Sequence, residues 1–406
     1  MAKRTLGILV PEFPGQTHIF FWREANELAR LGVASKWFST RRPPPGLVTH
    51  EWSEGESEKT VYLTPLGLGD IVPIVRVLAA AALSGKLPAV VRAFAASELT
   101  GVERVKLLAM IALGAKLAHA ARQAGVEHLH VHSCAKAAYV AVFAKALASL
   151  DYSLTLHNPL AVFGPDQKLK WSNARFAIVI TEALEREVRE ELEGFLPEEI
   201  AIAPMGVDTA TFSRSKPYAP WTGGPVRLVQ CARLNYAKGY EFLFEAVRQL
   251  RDAGLDVRLD VLGEDDEGGR GYRRRLEALR TELGLEDVIA LRGACPEAEV
   301  IDALQAAHVY VLASINEPLG VATMEAMAME TPALVTAAGG SVELVEDGVT
   351  GILVPPQDPA ALAAGVRRYL DDPELARRVG AAARERVIER YSSRRSATTI
   401  ERLMRR

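Results

Sequence analysis

The sequence predicts an α/β protein made of two doubly wound domains, each a parallel sheet covered by helices on both faces. Three observations carry this. Short apolar runs alternate with longer amphipathic stretches almost from end to end. The runs are near-continuously apolar, as strands buried on both faces must be. The pattern also occurs twice, over about 200 residues each time, in a chain of 406 residues that has room for two ordinary domains.

The elements follow in order. Strands are expected at Thr5–Val10, Val33–Phe38, His128–His132, Ser153–His157, Phe176–Ile180 and Glu199–Ala203 in the first half. The second half offers Val226–Cys231, Val257–Leu262, Val288–Leu291, Val309–Leu312, Ala333–Thr336 and Gly351–Val354. Amphipathic stretches such as Glu182–Leu192, Tyr240–Arg251, Tyr272–Leu283 and Glu297–Ala306 separate them. Residues 204–225 are rich in proline, glycine and small polar residues, which is linker chemistry. The boundary therefore falls between a first domain, 1–204, and a second, 205–387. From Pro373 the tail is helical in pattern, interrupted at Tyr391-Ser392-Ser393, and its last helix, about 388–406, is expected to complete the first domain.

Residues 71–125 depart from simple alternation. They are almost all helix formers and hold seven lysines or arginines against two glutamates, a net of +5 in a chain of net charge −3. The plain reading is a pair of packed helices with a solvated basic face. The sharper one is a surface that rests on anionic lipid or receives a lipid-linked acceptor.

Composition excludes several classes. With 48 lysines and arginines against 51 acids, nothing in the bulk charge asks for nucleic acid. Cys134, Cys231 and Cys295 are odd in number and contain no CxxC pair, which fits a reducing compartment rather than a disulfide framework. The N-terminal apolar run is short and meets Pro11, so it reads as a strand and not a signal peptide. No window of about 20 apolar residues proposes a transmembrane helix. A cytoplasmic home, with peripheral membrane contact through 71–125, is the expectation.

Common nucleotide fingerprints are missing: Gly67-Leu-Gly69 is not completed at position 72, and no GxxxxGK[ST] or HExxH occurs. His128, His130 and His132 share one strand face, but with no carboxylate or cysteine in register they are read as packed histidines, and no metal is assigned.

Two constellations remain. Asn316–Pro332 follows a buried strand, turns at Pro318–Gly320 and enters a helix, with Glu317 in the loop and Glu325 in the first turns. The free N–H groups there would face an anion. Arg233 and Lys238 sit in the loop after the first strand of the second half. Both loops would open at the carboxyl edge of one sheet, where such folds bind ligands. Two cations and a helix N-terminus suit a diphosphate.

Together with Gly339–Pro359 and the inter-domain Pro204–Asp208 and Phe212, these motifs resemble the retaining glycosyltransferases of family 4, group 1 enzymes of the GT-B fold. The likeness covers the second half and extends more loosely to the loop Pro11–Thr17, the histidine-bearing strand and His157. Leu319 stands where phenylalanine is usual, Glu330 where glycine is usual, and Asn-Pro-Leu follows His157. The resemblance implies two Rossmann-like domains facing a cleft, with the C-terminal helix crossing back to an acceptor-side first domain.

It also implies roles. The donor is a nucleotide sugar and the acceptor a glycan or lipid-linked hydroxyl, in the setting of bacterial exopolysaccharide synthesis, with no cofactor. Arg233 and Lys238 would hold the diphosphate, Glu317 the donor sugar, and the backbone of Leu319, Gly320 and Val321 would lie nearby. Glu325 would take the ribose hydroxyls, Gly15 would let backbone approach the leaving phosphate, and His157 would face the sugar 6-position. The competing reading is a non-catalytic sugar-nucleotide-binding or scaffold protein on the same fold.

Overall fold

The computed structural model describes residues 4–15, 19–43 and 51–405. The chain divides into two compact units, and each is described by itself.

The first unit runs to Pro43, resumes from Trp52 to Pro204 and is joined by the tail from Ser396. It opens with β1 (Arg4–Glu12), α1 (Ile19–Arg30), β2 (Val33–Arg41), α2 (Ser53–Lys59) and β3 (Val61–Tyr62). Three helices follow, α3 (Leu68–Leu83), α4 (Leu87–Ala95) and α5 (Gly101–Gln123). The basic segment is thus three helices and not the expected pair. Breaks at Ser84–Lys86 and at Ala96–Thr100 divide a stretch whose composition alone looks uniform. Then come β4 (His128–Val131), α6 (Lys136–Ala148), β5 (Tyr152–Leu156), α7 (Gln167–Ser172), β6 (Phe176–Val179), α8 (Glu182–Glu191) and β7 (Glu199–Ile202).

Among the described residues these strands form one parallel sheet of order β3-β2-β1-β4-β5-β6-β7. β4, β5 and β6 are buried at every residue, which is why they read as unbroken apolar runs. The short β3 was not foreseen, since two residues carry no periodicity.

The second unit, Met205–Arg395, contains β8 (Val226–Cys231), α9 (Tyr240–Asp252), β9 (Val257–Leu262), α10 (Tyr272–Glu282), β10 (Ile289–Gly293) and α11 (Glu297–Ala306). It continues with β11 (Val309–Leu312), α12 (Val321–Ala328), β12 (Ala333–Thr336), α13 (Ser341–Leu344), β13 (Ile352–Val354), α14 (Pro359–Asp371) and α15 (Pro373–Arg390). Its parallel sheet has the order β10-β9-β8-β11-β12-β13. One core cluster packs Leu243, Phe244 and Val247 of α9 with Leu362, Val366 and Tyr369 of α14 against Leu228, Leu259 and Val311.

The last helix, α16 (Ser393–Arg405), returns to the first unit. Ala397, Ile400, Leu403 and Met404 join Phe21, Ala25 and Leu28 of α1 over Leu6, Ile8 and Ile178 of the first sheet. This return begins at Ser396 rather than near 388, because α15 runs on to Arg390 within the second unit, where the Arg384 guanidinium donates to the carbonyl of Phe212 at 3.0 Å.

Candidate functional site

Parallel strands place all their carboxyl ends at one edge, and the loops there part company where the strand order reverses. In the second unit that reversal lies between β8 and β11. The loop after β8 carries Arg233 and Lys238, and the loop after β11 carries Glu317.

Three loops are stitched together at this point. The Ile315 N–H donates to the Ala237 carbonyl at 2.8 Å, and the Gly340 N–H donates to the Glu317 carbonyl at 2.8 Å. Gly239 has φ +65°, and a Cβ there would stand 2.0 Å from the Ala313 carbonyl oxygen, so no side chain fits. This close approach presses the Lys238 turn onto the end of β11.

The result is an ion pair. Lys238 Nζ lies 2.6 Å from Glu317 Oε2, with the two side chains 17% and 7% exposed. The Ser314 hydroxyl donates to the same carboxylate oxygen at 3.1 Å. Sequence reading treated Lys238 and Glu317 as two separate ligands; the fold makes them partners across 79 residues. Arg233 is different. It is 42% exposed and lies 3.4 Å from Asp266 Oδ1, itself an exposed group.

Glu325 is buried in the second turn of α12. Gly320, at φ +98°, immediately precedes the helix, and Val321 opens it. The leading N–H groups of a helix have no intrahelical acceptor, so this terminus favours an anion. The Leu319 side chain is buried in the core, which leaves its backbone as the part available to a ligand. The chemistry assembled here is one clamped cation, one accessible cation, two buried carboxylates and a helix N-terminus.

The first unit repeats the arrangement. Its strand order reverses between β1 and β4. Gly15 follows β1, buried behind Phe13, whose ring stacks on Trp37 at 3.9 Å between centroids. His132 follows β4 and His157 follows the neighbouring β5.

A carboxylate that the sequence reading did not find completes this cluster. Glu24 of α1 places Oε1 3.2 Å from His132 Nε2, and His132 Nδ1 lies 3.2 Å from His157 Nε2. The Ser396 hydroxyl of α16 donates to the other Glu24 oxygen. Burial pushes the Glu24 carboxyl above its usual range, opposed by His130, the Ser396 hydrogen bond and His157. A signal for it did exist. Glu24 lies three residues after Phe21 and four before Leu28, on the helical face that packs into the core.

Glu24, His130 and His132 bring one ligand atom each within 4.8 Å of one another, which is metal-donor spacing. Contrary to the expectation from sequence, a carboxylate does stand beside the histidines: Glu24, brought in by α1. His130, however, already shares Nδ1 with the Ser153 hydroxyl at 2.7 Å and Nε2 with the Thr155 hydroxyl at 2.8 Å. Burial, then the neighbouring His132, holds it well below the usual histidine range. Its donor set is that of a hydrogen-bonded network.

Residues 215–386 match the family described as glycosyl transferases group 1. WcaL of Salmonella typhimurium, a glycosyltransferase provisionally named for colanic acid biosynthesis, is 38% identical over 206 residues, which are 49% of this chain and 49% of that protein. A D-inositol 3-phosphate glycosyltransferase of Streptomyces bingchenggensis is 34% identical over 197 residues, 46% of this chain and 43% of its own length. The matched region thus spans about half the length of these curated relatives.

Solved structures match end to end. Sucrose-phosphate synthase from Thermosynechococcus elongatus superposes with a TM-score of 0.74 at 22% identity, over 99% of this chain and 98% of its own. HepE from Anabaena, solved in complex with UDP and glucose, gives 0.73 at 18% identity over 99% of each chain. At these identities the likeness speaks for the fold. The chain has the GT-B fold, and residues 215–386 of its second unit are similar to the group 1 glycosyl transferases.

Proposed function

We propose that this protein is a retaining glycosyltransferase of family 4 that moves a sugar from a nucleotide diphosphate to a hydroxyl of a glycan or lipid-linked acceptor, in polysaccharide synthesis. The observation that carries this reading is the meeting of Lys238, Glu317 and the α12 N-terminus at the β8/β11 reversal. UDP is the favoured nucleotide, since HepE was solved with UDP and glucose.

On this reading Arg233 closes over the diphosphate from its exposed position, and Lys238 meets the phosphate nearest the sugar. Their attraction grows as the glycosidic bond breaks and charge collects on the leaving oxygen, so it lowers the barrier and not only the binding energy. Glu317 takes the sugar hydroxyls, and its charge stabilises the cation-like ring. Glu325 takes the ribose hydroxyls. The acceptor oxygen bonds to the anomeric carbon on the face the diphosphate leaves, and its proton passes to the departing phosphate oxygen. Gly15 and His157 belong to the first unit and serve the phosphate and the sugar 6-position. No cofactor or metal is needed for these steps.

The test is a thermal-shift panel with UDP, GDP, ADP and dTDP in excess chelator, followed by donor turnover with a polysaccharide acceptor. Ligand at 100 times its Kd adds about 2.7 kcal/mol, which for units of this size raises the melting temperature by about 5–10 °C. A strict need for Mg²⁺ or Mn²⁺ would refute the metal-free reading. Binding without any turnover would favour the scaffold alternative.

A further inference from the structure

We propose that α3, α4 and the first half of α5 form a docking face that seats this protein on an anionic lipid surface.

Each of these helices turns an apolar stripe to solvent. On α3 the exposed positions are Leu68, Ile71, Val72, Val75 and Leu83, spaced as one helical face, and Leu68 and Leu83 are 87% and 91% exposed. On α4 they are Leu87 and Val91; on α5 they are Val102, Val105 and Leu108. Isolated exposed leucines need no explanation, but stripes on three consecutive helices do. α3 packs on α5, and all three helices pack on α6, so the stripes belong to one folded layer.

That layer is held firmly. Asp166 accepts from the Ser97 hydroxyl, from the Glu98 N–H at 2.6 Å and from the Tyr139 hydroxyl at 2.6 Å, which pins the α4–α5 connection. Lys116 pairs with Asp70 at 3.0 Å and ties α5 to α3. The apolar side chains are displayed on a fixed frame.

Charge selects the occupant. Of the seven basic residues in the segment, Lys116 is paired with Asp70, Lys106 with Glu103, and Arg104 donates to backbone carbonyls. Arg76, Lys86, Arg92 and Arg122 make no ion pair among the described residues. Arg76, Lys86 and Arg122, opposed by Glu127, line a cavity of about 960 Å³. Lys86 and Arg92, with Lys145 and Lys168 and opposed by Glu98, line an adjoining one of about 790 Å³. Cations beside an apolar stripe suit phosphate headgroups above acyl chains. A second copy pairing symmetrically through this face would bring like charges together. No single described helix is long and apolar enough to cross a bilayer, and the α3–α4 pair bends by 103° at Leu83–Leu87, so the helices would lie in the interface.

The experiment is sedimentation of the full chain with vesicles of equal parts phosphatidylglycerol and phosphatidylcholine, against phosphatidylcholine alone. Binding to the anionic vesicles, weakened by salt, is expected. Ile71→Glu with Val75→Glu should abolish it, and Arg76→Gln with Arg92→Gln should weaken it about 25-fold, at about fivefold for each cation. Both variants alter exposed side chains, so melting temperature and the response to UDP should stay as in the parent. That separates failure here from failure of the donor reading. No binding to anionic vesicles, or equal binding to neutral ones, would overturn the proposal. So would self-association of the parent that Ile71→Glu with Val75→Glu abolishes.

Discussion

Glu317→Gln is the most informative single substitution, because the fold gives the carboxylate two jobs with opposite consequences. It neutralises Lys238 at 2.6 Å in a site where both side chains are largely shielded. Removing its charge leaves the ammonium without its partner, and breaking such a pair costs about 2–4 kcal/mol. In a unit of this size that is a fall of about 4–16 °C in melting temperature. Lys238→Met should cost a similar amount, and the double variant should recover part of it, giving a coupling energy of about 1–3 kcal/mol.

The nucleotide responses should diverge. A diphosphate arriving at Lys238 meets Glu317 as a like charge, so Glu317→Gln should bind UDP about 5–10-fold more tightly, a gain of about 1 kcal/mol. Lys238→Met loses a charge-assisted contact of about 1.5–3 kcal/mol and should bind UDP about 10–100-fold more weakly. Turnover of the sugar donor should fall in Glu317→Gln by about 10²–10³-fold, as expected for losing one electrostatic contact to the reacting centre. Calorimetry with UDP, thermal melts and steady-state kinetics on the same preparations decide it. If both substitutions weaken UDP equally, or the pair shows no coupling, the assignment of Lys238 and Glu317 is wrong.

Other outcomes follow from single residues. Glu325→Gln should raise the donor KM and weaken UDP about tenfold while kcat stays within about twofold, because the ribose does not change during transfer; a kcat defect measured at saturation would refute the ribose role. Glu330 holds φ +55° where a side chain is strained, so Glu330→Gly should stabilise by about 0.5–1 kcal/mol, read as a rise of about 1–4 °C. Desolvation pushes His128 and His308 down to about 4 from 6.5, helped by Arg175 at the first and Arg227 at the second. The unfolded chain binds these protons first, so their stabilisation is full above about pH 6.5 and is lost as pH falls towards about 4, by about 3 kcal/mol for His128. Replacing both with glutamine should flatten that acid limb in melts taken across the range.

The strands were legible because burial on both faces leaves an unbroken apolar run. β8, β9, β11 and β12 fall on the residues expected, while β4, β5, β6 and β7 each end one residue early. The edge strand β3 left no pattern to read. The break at Ser84–Lys86 was also missed, since alanine and leucine on either side are good helix formers and only Gly85, at φ +71°, marks the turn. The partnerships escaped for a different reason. Lys238 and Glu317 are 79 residues apart, and Ser396 and Glu24 are 372 apart. Nothing in local sequence says which charges will meet.

What does predict such meetings is topology. A parallel sheet sends every strand's carboxyl end to one edge, and where the strand order reverses, the two outgoing helices leave on opposite faces and their loops open a crevice. Both sheets here reverse beside their first strand, at β1/β4 and at β8/β11. The loops that follow those strands hold Gly15, His132, Lys238 and Glu317. Polar groups can gather there because the chain has left the sheet ladder and its backbone is free to turn, as Gly239 and Gly320 do with φ of +65° and +98°. A carboxylate taken from water must find a cation or a proton. Glu317 has found Lys238, and Glu24, pushed above its usual range, sits against His132 and Ser396. Each reversal thus holds one buried carboxylate, Glu24 on the helix that follows β1 and Glu317 in the loop that follows β11, and burial leaves Glu24 holding its proton more readily than a free carboxyl does.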